Sequence, residues 1–252
     1  MKLYLVPNQQ MFPKERNEQR EGELFKGVHI LQAFCYCDTF TEKVILPNCK
    51  SFLLDSGAFT FMNSAKGKPI NWEQYINRYI DFIVRNDIDF FFELDIDSIV
   101  GLEQVERIRR KIEQRTGKQP IPVFHRERGK DYFVDMCKNY PYVAIGGMTA
   151  GVEREAYKRT LPWFINTAHD HGAKIHGLGF TDMKGLKKYR FDSVDSSTWA
   201  AGNRFGKVYV FDGETIQTYS RKEGTKIADH QKLSLHNFKE WVKFQRYAEK
   251  NL

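Results

Sequence analysis

The feature that most constrains this chain is a repeated alternation. Short apolar runs, six of them followed or closed by an acidic, histidine or glycine residue, are separated by stretches whose apolar residues recur with helical period. The runs are Lys2 to Val6, Val28 to Phe34, Ser51-Phe-Leu-Leu-Asp55, Asp89-Phe-Phe-Phe-Glu-Leu-Asp95, Ile121-Pro-Val-Phe-His125, Tyr142-Val-Ala-Ile-Gly-Gly147, Lys174-Ile-His-Gly-Leu-Gly179 and Phe191 to Asp195. Between the third and fourth, Trp72, Tyr75, Ile76, Tyr79, Ile80 and Ile83 fall on one helical face behind Asn71, a predicted N-cap. Leu102, Val105, Ile108 and Ile112 form the next such face, stopped by Gly117 and Pro120. Further helices are predicted around Tyr132 to Cys137, Tyr157 to Ala168 and Met183 to Leu186. Segment 8–27 is polar and reads as a loop or irregular helix.

Apolar strands that alternate with helices form a parallel sheet covered on both sides. Eight such strands in 252 residues predict an α/β fold, a TIM-like (β/α)8 barrel in one domain spanning 1–252. Lys207 to Tyr219 reads as a hairpin turning at Asp212-Gly213, and a terminal helix places Leu235, Phe238, Trp241 and Val242 inward. In a barrel the C-terminal strand ends make one face. Asp55, Asp95, His125, Gly146, Gly147, His176 and Asp195 are all expected there.

Several chemistries are removed by what is missing. No Gly-x-Gly-x-x-Gly follows the first strand and no Walker-type loop occurs, which excludes the usual nucleotide-cofactor readings. Cys35, Cys37, Cys49 and Cys137 have no second Cys/His pair at finger-like spacing, so no metal site is expected. No window approaches the roughly 20 apolar residues of a membrane span. The first residues also lack the apolar run of a secretory signal, and the expected location is cytoplasmic. A net charge of +7 favours a polyanionic partner, and an aromatic content of 14% suits base stacking. The clusters Arg109-Arg110-Lys111 and Lys187-Lys188 read as solvated faces.

Five short motifs occur in order over Ser51 to Gly213: Asp55-Ser-Gly-Ala-Phe59, Phe92-Glu-Leu-Asp95, Val143-Ala-Ile-Gly-Gly-Met148, His176-Gly-Leu-Gly179, and Asp195 followed by Phe211-Asp-Gly213. Together they resemble the tRNA-guanine transglycosylase superfamily, with Ala58 where that family has the second glycine of Asp-Ser-Gly-Gly. The family's zinc module after the nucleophile has no counterpart here, since no cysteine lies beyond Cys137. In this the chain is similar to the shorter relatives, associated with phages and bacteria, that insert 7-deazaguanine bases into DNA.

The resemblance implies exchange of a guanine in DNA for a free 7-deazaguanine base such as preQ0 or preQ1, with no other cofactor. The alternatives are action on tRNA, or a non-catalytic nucleic-acid-binding subunit. Helper proteins or a homodimer are open. Asp195 would be the nucleophile, since a carboxylate of ordinary pKa, about 3.9, is ionised at neutral pH. Asp192 is its rival. Asp55 would alternate as acid and base. Ser56, Phe59, Asp95, His125, Gly146, Gly147, Met148 and His176 would hold the base: Phe59 by stacking, Asp95 by accepting from N1–H and the amine, the glycine amides by donating to O6. Asp97 competes with Asp95, and Arg126 with His125. Arg126, Arg128, Arg204 and Lys207 are the candidates for the nucleic-acid backbone.

Overall fold

The computed structural model describes residues 1–8, 11–12, 17–58, 60, 70–147, 151–222, 224 and 226–252, with side chains 151–157 and 203–204 outside that description. Each apolar run yields a strand: β1 Lys2–Leu5, β2 His29–Ala33, β3 Ser51–Asp55, β4 Phe90–Phe91, β5 Val123–Phe124, β6 Tyr142–Ile145, β7 Lys174–Gly177 and β8 Ser193–Ser196. They form one parallel sheet in the order β4-β3-β2-β1-β8-β7-β6-β5. Its two edges meet through a parallel bridge between Phe92 and Ile121. There Ile121 N–H donates to Phe91 O at 2.8 Å and Glu93 N–H to Ile121 O at 3.0 Å. The ring is a TIM-like (β/α)8 barrel.

β4 and β5 are shorter than the runs that announced them. Pro122 has no N–H to give the ladder, and the next amide, Val123 N–H, goes to the Glu93 side chain at 2.9 Å. Side-chain bonding thus replaces strand pairing at the seam.

Among the described residues the longer helices are α1 Glu18–Phe25, α2 Trp72–Arg85, α3 Leu102–Thr116, α4 Lys130–Asn139, α5 Gly151–Asp170, α6 Met183–Lys188 and, last, α7 His230–Asn251. α2 starts at the predicted cap, where Asn71 Oδ1 accepts from Gln74 N–H at 3.0 Å. α3 ends at Gly117 in the left-handed conformation. One region departs from expectation. Segment 8–27 contains a regular helix, α1, capped by Asn17 and burying Phe25. The crossover from β2 to β3 runs through a wide helical turn, Thr41–Ile45, continuing to Asn48.

Strand alternation sorts the core into two layers. Leu3, Leu5, Phe52, Leu54, Val143, Ile145 and Val194 face the helices, against side chains such as Ile80, Ile112, Phe164 and Trp241. Tyr4, Leu31, Leu53, Phe92, Val123 and Ala144 fill the barrel. The predicted hairpin is β9 Lys207–Phe211 with β10 Ile216–Ser220, and Asp212 closes its turn by accepting from Glu214 and Thr215 N–H. Among the described residues no helix is long and apolar enough to cross a membrane.

Candidate active site

β8 is buried along its whole length and carries Asp195 beside Tyr4 of β1. One carboxylate oxygen, Oδ1, is held twice: Gly179 N–H donates at 2.7 Å and His176 Nε2 lies at 3.2 Å. Gly179 reaches it from a turn with φ 64°, a conformation that favours glycine. Oδ2 has no hydrogen-bond partner among the described residues. His176 is 0% exposed and sits inside the barrel between the Tyr4 and Phe92 rings. Its Nδ1 bonds Ser193 Oγ, which also bonds the Tyr142 hydroxyl.

Asp55 ends β3, half-buried, and the chain then turns through Ser56 and Gly57. Gly57 has φ 77°, and a Cβ there would lie 3.0 Å from both Cys35 Sγ and the Tyr75 hydroxyl. Tyr75 O–H pins the same turn by donating to Ser56 O at 2.6 Å. Burial, and then the negative charges of Asp95 and Asp195, push the Asp55 pKa up to about 7, against the pull of the Gly57 and Ser56 amides. Asp55 therefore senses both of the other carboxylates. Asp55 and Asp195 line one cavity of 630 Å³, walled by Phe12, Leu31, Phe40 and Ile45 with Gln32, Tyr36 and Asp38 among its polar edges.

Asp95 follows β4 and is fixed from two sides. Ser56 Oγ donates to its Oδ1 at 3.2 Å, and His125 Nε2 lies 3.1 Å from its Oδ2. Burial of the His125 ring would lower its pKa, but the bond to Asp95 and the charges of Asp95 and Asp97 outweigh that and raise it. Asp95 and His125 line a second cavity of 460 Å³ with Asp97 and Arg128. Gly146 makes room for this pair: a Cβ on it would lie 2.6 Å from His125 Cε1. Gly147 is exposed, with φ 76°.

Several expectations need correction. Gly146 is not a free donor, because its N–H already gives to Phe124 O at 2.9 Å. His176 has no exposed surface to set against a base; it is sealed in the core. The Arg128 side chain, 1% exposed, is tied to Glu93 at 2.8 Å and Asp97 at 2.9 Å, so it is not available to a phosphate backbone. Arg109 is likewise no solvated residue, since its guanidinium pairs with fully buried Glu93 at 2.6 Å. Asp192 drops out as rival nucleophile: it lies before β8, bonded to His169 and to Ile175 N–H.

Arg126, directly after His125, is exposed. Lys207 is half-buried, its Nζ 6.0 Å from the centre of the Phe205 ring. Phe59, Met148 and the Arg204 side chain lie outside the described residues. The cysteines are free thiols, and no group of three His, Cys, Asp or Glu among the described residues is placed to hold a metal ion. Sequence reasoning missed Ser193, Tyr142, Gln32 and Asp38. Ser193 had a signal: it lies two residues before Asp195 and so shares its face of the strand.

No family model matches the chain, and no curated protein matches it. Solved structures do match. One, a putative fructose-1,6-biphosphate aldolase from Coccidioides immitis, aligns over 98% of this chain and 86% of its own, with 13% identity and a TM-score of 0.49.

Proposed function

We propose that this chain is a base-exchange enzyme, a nucleic-acid guanine transglycosylase that replaces guanine in DNA with a 7-deazaguanine base. The observation that carries the reading is the shared cavity of Asp55 and Asp195, in which one carboxylate has its pKa pushed up to about 7. Two carboxylates in one cavity, one of them able to hold a proton near neutral pH, suit double displacement at a sugar carbon.

In the first half-reaction Asp195 Oδ2 attacks C1′ of the target nucleotide. The C1′–N9 bond breaks, its electron pair leaves with guanine, and Asp55 supplies the proton the base needs. The incoming deazaguanine then gives its N9 proton to Asp55 and attacks C1′ from the face the guanine left. The C1′–Oδ2 bond breaks and Asp195 is regenerated. Asp95, steadied by Ser56 and His125, keeps lone pairs for the N–H groups of the base. A guanine in duplex DNA has to be flipped out, at a cost of a few kcal/mol; exposed Arg126, with Arg204 and Lys207, is assigned to phosphates that help offset it.

The test is incubation with DNA and, in parallel, tRNA, using radiolabelled preQ0 and preQ1, followed by trapping of a protein–nucleic acid adduct. Label enters DNA, and the adduct forms with wild type but not with Asp195→Ala. Label entering tRNA alone would move the substrate class; no label and no adduct with either would end the proposal.

A further inference from the structure

We infer that Tyr142, Ser193 and His176 form a buried donor relay that grips one oxygen of Asp195 and frees the other to react. This makes His176 a positioning residue. The inference rests on the proposed base exchange for its kinetic consequence, though not for its geometry.

The direction of each bond follows from what each group can do. An ionised Asp195 only accepts, so the proton in the 3.2 Å contact with Oδ1 belongs to His176 Nε2. In a neutral imidazole Nδ1 is then an acceptor, and Ser193 O–H must donate to it. The Ser193 oxygen is left to accept from the Tyr142 hydroxyl. All three bonds point the same way, from Tyr142 on β6 through β8 and β7 to the carboxylate. His176 and Ser193 are both 0% exposed, so water does not compete for these positions. Donors arranged this way polarise one another.

The grip falls on the oxygen already held by Gly179 N–H. Oδ2, without a partner among the described residues, is the atom left for C1′. Once Oδ2 is esterified to the sugar, Oδ1 is the ester carbonyl. As the C1′–Oδ2 bond breaks in the second half-reaction, negative charge spreads onto Oδ1, where two donors already point. The relay therefore assists departure of Asp195 from the sugar more than its attack.

Two measurements test this. In 15N-resolved spectra of the wild-type protein, the His176 ring nitrogens show a neutral Nε2–H tautomer, and Ser193→Ala shifts Nδ1 markedly. Doubly protonated or Nδ1–H signals, or no response to Ser193→Ala, overturn the relay whether or not the protein exchanges bases. In single-turnover assays, His176→Leu slows adduct resolution by roughly tenfold or more, as expected for a lost hydrogen bond to a charged group, and formation by less. Tyr142→Phe acts in the same direction more weakly, while His176→Gln, which keeps an N–H, recovers part of the loss. Equal slowing of both half-reactions, or none, overturns the kinetic role. Absence of any wild-type adduct with DNA or tRNA would instead count against base exchange, and the nitrogen spectra would still decide the relay.

Discussion

Asp55 shows how a residue of ordinary chemistry acquires an unusual proton affinity from position alone. Its pKa is pushed up to about 7 in the folded protein from the ordinary aspartate value of 3.8. Between those values the folded state holds a proton that the unfolded chain has released, so stability falls as pH rises from about 4 to 7. Asp55→Asn removes that dependence. Its unfolding midpoint, followed by circular dichroism, should exceed the wild-type value at pH 8, with the gap narrowing steadily from pH 7 to pH 4. In the proposed reaction the same proton serves the departing base, so adduct formation should decline above about pH 7. Gly146 gives a second test at this scale. An added Cβ meets His125 at 2.6 Å, so Gly146→Ala should cost about 1–3 kcal/mol in urea denaturation by overpacking. On a His125→Ala background part of that cost should vanish, the remainder coming from the 3.1 Å approach of the same Cβ to Val123 Cγ1. The Asp-Ser-Gly turn and Asp195 could be recognised as chemical in the sequence, because each follows an apolar run. The preference for Asp195 over Asp192 came from its spacing to Phe211-Asp-Gly213, and the sheet register supplies the physical reason, putting one at the cavity and the other at the opposite end of β8.

At the scale of elements, the short turn Arg126–Arg128 after β5 separates two arginines that look alike in sequence. Arg126 faces solvent, whereas Arg128 bridges Glu93 and Asp97 inside the fold. Arg128→Ala leaves Glu93 with Arg109 and the Val123 N–H but takes the guanidinium from Asp97 and empties a buried site, so it should destabilise the protein by about 1–3 kcal/mol. Arg126→Ala should leave stability within about 0.5 kcal/mol while lowering the slope of log affinity for DNA against log salt by about one. Denaturation and binding titrations on the same pair of variants separate the two. Strand and helix positions were legible because period two and period 3.6 are local properties of the chain. The fate of Glu93, Arg109 and Arg128 was not, because a charged residue reads as exposed until the partners that neutralise it, just after β4, on α3 and in the turn after β5, are brought together.

Across the whole molecule, the last helix completes what the strands begin. β1 and β2 share a short register, a single Cα pair, Leu5 with Ile30. Buried Gln245 of α7 reinforces that seam: its amide donates to Leu3 O at 2.6 Å and His29 O at 2.9 Å, and its oxygen accepts from His29 N–H at 3.1 Å. Gln245→Leu strands three backbone groups and should cost about 3 kcal/mol or more in urea denaturation. What the sequence determined by itself was the architecture: eight apolar runs alternating with amphipathic helices have few ways to hide both faces of every strand, and a closed barrel is one of them. The carboxylates that belong at its mouth followed from their places at strand ends. Tertiary structure alone decided which charges stay free and which are sealed, that His176 and Ser193 turn inward to meet Asp195, and that Asp55 feels two other aspartates. Those outcomes depend on distances between residues far apart in the chain, and a periodic pattern carries no information about them.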